Sequence, residues 1–239
     1  MTSKTTIELT HTGYSGLRLT IGEECLHIDP HEEVDGDVAI TWTERERVLG
    51  VSNACSLAAS PEVLGWLDAK GVPLRAGRNA TLGGLTIRAL PYKPIPYATP
   101  AEAVRKTLSA IRDPRRAADR LSFLATRPRT KPIALVVEAG GRRVALLGQS
   151  LHRFTTEERV AELIEFVGEV DLLVAGTDFD DEATTGVLIG SFNAANFVIA
   201  DLVGTVRREL NLPTRPLETC LNTAPEGTAL LPPHGSFSC

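Results

Sequence analysis

The sequence predicts a single α/β domain in which two β-sheets pack face to face and helices cover their outer faces. Three observations lead to this class. Short alternating strands open the chain, a second set of strands begins near residue 133, and each set is followed by an amphipathic helix. No repeat of fixed period occurs, although the two halves follow each other in the same order. The expected architecture is therefore a four-layer αββα sandwich spanning residues 1–239.

The first half alternates between strands and tight turns. Apolar and polar residues alternate in the opening segments, as in half-buried strands, and the third of these strands ends at Asp29. Ser60 and Pro61 begin a helix, because serine is a favoured N-cap and proline suits the first helical position. Gly83 and Gly84 predict a hairpin turn. The expected strands are residues 7–9, 17–21, 25–28, 38–41 and 85–89.

The second half repeats this order after a proline-rich and arginine-rich stretch. Residues 97–132 are expected to form a helical insertion beside the sandwich, broken at Asp113-Pro114. The elements expected after it are a hairpin of residues 133–138 and 144–147, a helix at 156–166, a strand at 171–175, a long helix at 192–210 and a last strand at 228–231. The order of elements thus predicts two similar halves.

Composition excludes several classes of function. The net charge of −5 gives no reason to expect a nucleic-acid partner. No apolar run reaches the length of about 18 residues that a membrane span needs, and no apolar run follows the N-terminal lysine as in a secretory signal. The four cysteines are scattered without a C-x-x-C pair, which favours reduced thiols and a cytoplasmic protein. The sequence does not indicate an oligomeric state.

Five segments, taken in order, resemble the metallo-β-lactamase fold and within it the ascorbate-6-phosphate lactonase-like branch. They are G-Y-S-G-L-R-L at 13–19, L-H-I-D-P at 26–30, R-N-A-T-L-G-G-L-T-I-R-A-L-P at 78–91, V-A-L-L-G-Q-S at 144–150 and L-L-P-P-H-G-S-F at 230–237. The resemblance covers nearly the whole chain. It implies the αββα sandwich and a site at the ends of the strands, but the reaction must be argued from the site residues.

The resemblance implies a site that has lost most of its metal ligands. Trp42 and Glu44 stand at the positions of two histidines, and Glu46 and Arg47 replace the Asp-His pair of the second metal. Tryptophan offers only an N–H donor, and arginine is a permanent cation that repels a metal ion. Zinc needs several deprotonated donors. We therefore expect no metal and no cofactor.

The remaining positions of the resemblance carry polar side chains. Tyr92 or Lys93 lies near the third histidine position, Gln149 replaces the bridging aspartate, and His234 alone keeps a matching ligand type. Asp29 is expected to orient a neighbouring loop through backbone N–H bonds. The other histidines, His11 among them, are assigned no role at this stage.

The first functional hypothesis is metal-independent acid–base chemistry on a small organic molecule. Glu44 or Glu46 would move protons, and Arg47 and His234 would stabilise developing negative charge. Trp42, Tyr92, Lys93 and Gln149 would contact the substrate. A second hypothesis is a non-catalytic binding protein on a hydrolase scaffold. A third is a hydrolase with a single metal ion bound by Glu44, Glu46 and His234, since two carboxylates and a histidine suffice for one ion.

Overall fold

The structure is a computed structural model that describes residues 5–41, 51, 54–91, 133–148, 157–176, 182–202, 204–209 and 216–239. Two seven-stranded sheets form its centre. The first sheet contains, in spatial order, β14 (Ser236–Ser238), β1 (Ile7–Gly13), β2 (Gly16–Ile21), β3 (Glu24–Ile28), β4 (Gly36–Ala39), β5 (Ala54–Ala59) and β6 (Val72–Pro73). The second contains β13 (Ala229–Leu231), β12 (Phe197–Ala200), β11 (Leu172–Gly176), β10 (Arg142–Leu146), β9 (Ile133–Ala139), β8 (Leu85–Pro91) and β7 (Asn79–Leu82).

Both sheets combine an antiparallel part with a parallel part. β1 to β3 are antiparallel and β3 to β6 are parallel, while β7 to β10 are antiparallel and β10 to β13 are parallel. The carboxyl ends of the parallel strands therefore meet at one edge of each sheet. The Ile133 N–H donates to the Thr41 carbonyl oxygen at 3.1 Å and so joins the two sheets at this edge. We call this edge of the sandwich the carboxyl edge; it is formed by the residues that end or directly follow β1, β3, β4, β8 and β10 to β13.

The main core lies between the two sheets and consists of aliphatic side chains from alternate strand positions. Helix α1 (Pro61–Trp66) covers β4 and β5 on the outside of the first sheet. Helices α2 (Glu157–Val167) and α3 (Glu182–Ile189) and a 3-10 helix (Leu217–Asn222) cover the second sheet. Helix α4 (Gly204–Glu209) follows β12. The sandwich with outer helices confirms the predicted fold class.

One prediction was wrong in a way that affects the site. The long helix expected over residues 192–210 is instead β12 followed by the short helix α4. β12 is an apolar run, and its last three residues are fully buried in the middle of a parallel sheet. A buried strand of this kind has no alternating pattern, so periodicity does not distinguish it from a buried helix. β5 and β14 were also missed: β14 has only three residues, and β5, with the sequence A-C-S-L-A-A, has no regular alternation of apolar and polar residues.

Several sequence expectations lie outside the described residues. The insertion expected at 97–132 is one of them, so its helical character stays a prediction. None of the four cysteines forms a disulfide in the structure. Within the described ranges, no helix has the length and apolar character needed to span a membrane.

Candidate active site at the carboxyl edge

Asp29 ties the end of β3 to the end of β4. Its carboxylate accepts a hydrogen bond from the Thr41 backbone N–H at 2.7 Å and another from the Thr41 hydroxyl. Its own N–H donates to the Ala39 carbonyl oxygen at 3.0 Å. Thr41 is the residue directly before the segment that carries the predicted acid–base side chains. The Asp29 carboxylate is therefore engaged by the protein itself, at the residue where the chain leaves β4.

His234 lies in a tight turn that fixes its backbone conformation. Pro232 to Gly235 form a β-turn closed by a hydrogen bond from the Gly235 N–H to the Pro232 carbonyl oxygen at 2.9 Å. Pro233 occupies the second position, which suits its fixed φ, and His234 occupies the third with φ of 62°. That position favours glycine, so a histidine there costs about 1 kcal/mol in backbone energy. The His234 side chain is solvent-exposed.

Residues with positive φ concentrate at this edge. Among the described non-glycine residues, Tyr14, Asp29, Asp68 and His234 have positive φ. Three of them follow β1, β3 and β13 at the carboxyl edge, whereas Asp68 follows helix α1. The Tyr14 ring also contacts the His31 ring, with 3.7 Å between ring centroids. Backbone strain gathers at functional sites more than elsewhere, which supports the carboxyl edge as the candidate site.

His11 is completely buried beneath the His234 turn. Its Nδ1 accepts a hydrogen bond from the Gly13 N–H at 3.0 Å, so the proton of the neutral ring lies on Nε2. Nε2 then donates to the Asp201 carbonyl oxygen at 2.9 Å. Asp201 follows β12, so this imidazole joins the first sheet to the second. Sequence reasoning assigned His11 no role, because a histidine at an inward position of a strand gives no signal of its partners.

The stability of the fold should depend on pH through His11. Burial lowers the pKa of the His11 imidazole below its ordinary value of 6.5, against the opposing effect of the Asp201 carbonyl. The His11 imidazole therefore binds a proton less tightly in the folded protein than in the unfolded chain. The stabilisation that the neutral His11 imidazole gives to the fold is complete above pH 6.5 and is lost as the pH falls from there through the folded pKa.

Urea unfolding of wild type and His11→Gln at several pH values tests this dependence. The difference in free energy of unfolding between the two proteins should shrink on acidification. A constant difference would contradict this assignment. The pKa of His27 is also lowered, by burial and by Arg18, but His27 is common to both proteins.

Most predicted site residues lie outside the described residues. They are Trp42, Glu44, Glu46, Arg47, Tyr92, Lys93 and Gln149. The structure nevertheless places their flanking residues: Thr41, Pro91 and Gly148 all lie at the carboxyl edge, and Pro91 pairs with Ile133, which bonds to Thr41. Of the predicted residues, Asp29 and His234 are described, and both lie at this edge. Within the described residues, no group of three or more His, Cys, Asp or Glu side chains is arranged to hold a metal ion.

A surface cavity of about 330 Å³ lies at the opposite edge, around Arg143, Asp171 and Asn193. Its charged groups support the fold. The Arg143 guanidinium donates to Glu138 at 3.1 Å and to the backbone carbonyl oxygen of Val167, the last residue of helix α2, at 3.2 Å. Asp171 accepts hydrogen bonds from the Arg142 guanidinium and the Arg143 backbone N–H. These contacts satisfy the carbonyl group at the end of helix α2 and hold the start of β11 to β10. Because these charged groups serve the fold, the carboxyl edge remains the candidate active site.

Comparison with known proteins identifies the fold. No protein-family model matches the chain, and no curated protein matches it. Solved structures do match along the whole length. The metallo-beta-lactamase fold protein YhfI from Bacillus subtilis has a TM-score of 0.57 at 13% identity, covering 98% of this chain and 99% of its own. Igni18, a metallo hydrolase from Ignicoccus hospitalis, has a TM-score of 0.58 at 14% identity, with the same coverage of both chains.

A third match is Zn²⁺-bound PqqB from Methylobacterium extorquens, with a TM-score of 0.55 at 11% identity, covering 93% of this chain and 86% of that one. The chain therefore has the metallo-beta-lactamase fold. At such low identity the likeness establishes the fold and leaves the activity to the chemistry of the site.

Proposed function

We propose that this chain is an enzyme that performs acid–base chemistry on a small organic molecule without a zinc pair. The observation that carries the proposal is His234, an exposed imidazole held with positive φ at the carboxyl edge. It follows β13, on the same edge as Thr41, after which the chain continues into Trp42, Glu44, Glu46 and Arg47. An imidazole, two carboxylates and a guanidinium are the groups that move protons and stabilise anions.

The donor set at this edge does not fit a dinuclear zinc centre. The Asp29 carboxylate binds Thr41, and both nitrogens of His11 bind the backbone. Trp42 and Arg47 stand at two of the family's ligand positions and provide no lone pair for a metal ion. A carboxylate beside Arg47 would instead accept paired hydrogen bonds from its guanidinium.

In the proposed reaction Glu44 or Glu46 removes a proton, and Arg47 and His234 stabilise the negative charge that develops. Trp42 and Tyr92 form the walls of the pocket, with Lys93 and Gln149 as polar contacts. Opening of a lactone, as in the lactonase-like branch, is one reaction of this type, and elimination and cyclisation are the others. The proposal includes a single domain, a cytoplasmic location, and no nucleic-acid or membrane partner.

Metal content is the direct test. Protein purified without chelator should contain well below one equivalent of zinc, iron or manganese by elemental analysis, and a chelator should not change its thermal stability. A stoichiometric ion that is lost in His234→Ala would instead favour the single-metal hydrolase with Glu44, Glu46 and His234 as ligands. The Zn²⁺ bound by PqqB supports this single-metal hydrolase as the alternative function.

Turnover separates an enzyme from a binding protein. A panel of lactones, esters and related small molecules is offered to wild type and to Glu44→Gln and Glu46→Gln, which keep side-chain size but remove the basic carboxylate. Activity that survives chelator and falls in one of these variants supports the proposal. Glu62→Gln, in helix α1, is the matched control and should keep full activity.

A further inference from the structure

The contacts of His11 connect three segments of the carboxyl edge. Its backbone N–H donates to the Gly235 carbonyl oxygen at 2.9 Å, next to His234 in the chain. Its Nδ1 accepts from the Gly13 N–H at 3.0 Å, and its Nε2–H donates to the Asp201 carbonyl oxygen at 2.9 Å. The imidazole is completely buried, so these bonds do not compete with water.

The His234 ring lies against the backbone that His11 holds. A Cβ atom added to Gly13 would lie 3.3 Å from His234 Cε1 and 3.7 Å from Nε2. Gly13 has φ of 103°, a conformation open to glycine and strained for other residues. The ring therefore occupies the space that a side chain at position 13 would take. The bond from the Gly13 N–H to His11 fixes the backbone on which this ring rests.

We propose that His11 is a positioning residue for His234. It holds Gly13 beneath the ring through its side chain and the Pro232–Gly235 turn through its main chain, while Asp201 fixes its own orientation. The chemical role of His234 rests on the proposed function, but its placement by His11 does not. A catalytic side chain is effective only when its orientation is fixed before the substrate binds. Contact with the Gly13 backbone would fix the orientation of the exposed His234 ring.

Nuclear magnetic resonance of the full chain tests the proposal. In wild type, the His234 Hε1 proton should show a nuclear Overhauser effect to the Gly13 Hα protons. His11→Leu keeps the apolar volume and the main-chain bond to Gly235 but removes both side-chain bonds, so this effect should be lost. His11→Asn keeps an acceptor within reach of the Gly13 N–H and should restore most of it. The second variant also serves if His11→Leu does not fold.

The control is Leu163→Ala, which truncates a buried side chain of helix α2 and destabilises the protein away from the edge. It should keep the His234–Gly13 effect, which distinguishes positioning from a general loss of stability. Persistence of the effect in His11→Leu, its equal loss in Leu163→Ala, or its absence in wild type would each overturn the proposal. These readouts require neither substrate nor metal, so a failed metal or turnover test leaves them interpretable.

Discussion

Replacing Asp29 with alanine should lower the free energy of unfolding by at least about 4 kcal/mol. The substitution removes two hydrogen bonds from Thr41 to a carboxylate, and bonds to a charged group contribute about 1.5–3 kcal/mol each. It also leaves the buried Thr41 hydroxyl without its acceptor, and it places alanine at φ of 47°, which costs about 1 kcal/mol more than for a residue that tolerates this region. Urea denaturation measures the change.

Thr41→Val is the matched control for Asp29→Ala. It removes the hydroxyl donor but keeps the backbone N–H and most of the side-chain volume. It should therefore cost about 2 kcal/mol, clearly less than the loss of the carboxylate. Equal effects of the two substitutions would mean that the backbone bond from Thr41 contributes little. In that case Asp29 would not determine where the segment after β4 begins.

Gly176→Ala should destabilise the protein by about 2–3 kcal/mol, because there is no room for a methyl group at the end of β11. The added Cβ would lie 2.6 Å from the Gly148 carbonyl oxygen and 2.7 Å from Leu202 Cδ1. The carbonyl cannot move away, since it accepts the hydrogen bond from the Gly176 N–H at 2.7 Å. Thermal unfolding should show a clearly lower midpoint.

Gly65→Ala is the control for the glycine substitution. Gly65 lies inside helix α1, and an added Cβ there meets nothing within 4 Å. Alanine should stabilise this helix by about 0.5–1 kcal/mol through the lower entropy of the unfolded chain. Opposite signs for the two substitutions would show that close backbone approach, and not the loss of glycine as such, sets the cost at position 176. A stabilising Gly176→Ala would contradict the close approach of β10 and β11.

The sequence predicted the sandwich because its strands and turns carry strong local signals. The hairpin of β9 and β10 was found from its apolar run and its glycine pair, and helix α1 from Ser60 and Pro61. β12 was mistaken for helix because a strand buried on both faces has no alternation to detect. Local pattern therefore predicted amphipathic elements well and fully buried elements poorly.

The site was predictable only in part. His234 was singled out by the resemblance and Asp29 by its place at the end of a strand, and both lie at the carboxyl edge. His11 was missed because its partners, Gly13, Gly235 and Asp201, are backbone groups, and the last two of them are far away in the sequence. Nearly every residue type offers the same backbone groups, so such contacts leave no pattern in the sequence. The assignments of Trp42, Glu44, Glu46, Arg47, Tyr92, Lys93 and Gln149 stay predictions, since these residues lie outside the described ranges.

The place of β14 beside β1 has a consequence for how the protein is made. Ile7 and Cys239 exchange two backbone hydrogen bonds of 2.9 Å, so the strand that begins the first sheet finds its outer neighbour in a segment far along the chain, made long after β1. Until those residues leave the ribosome, β1 presents an open row of amide and carbonyl groups, which other chains can pair with and aggregate. The nascent chain thus has to shield that edge until β14 has been made, and overexpression at low temperature or with a chaperone should improve its yield.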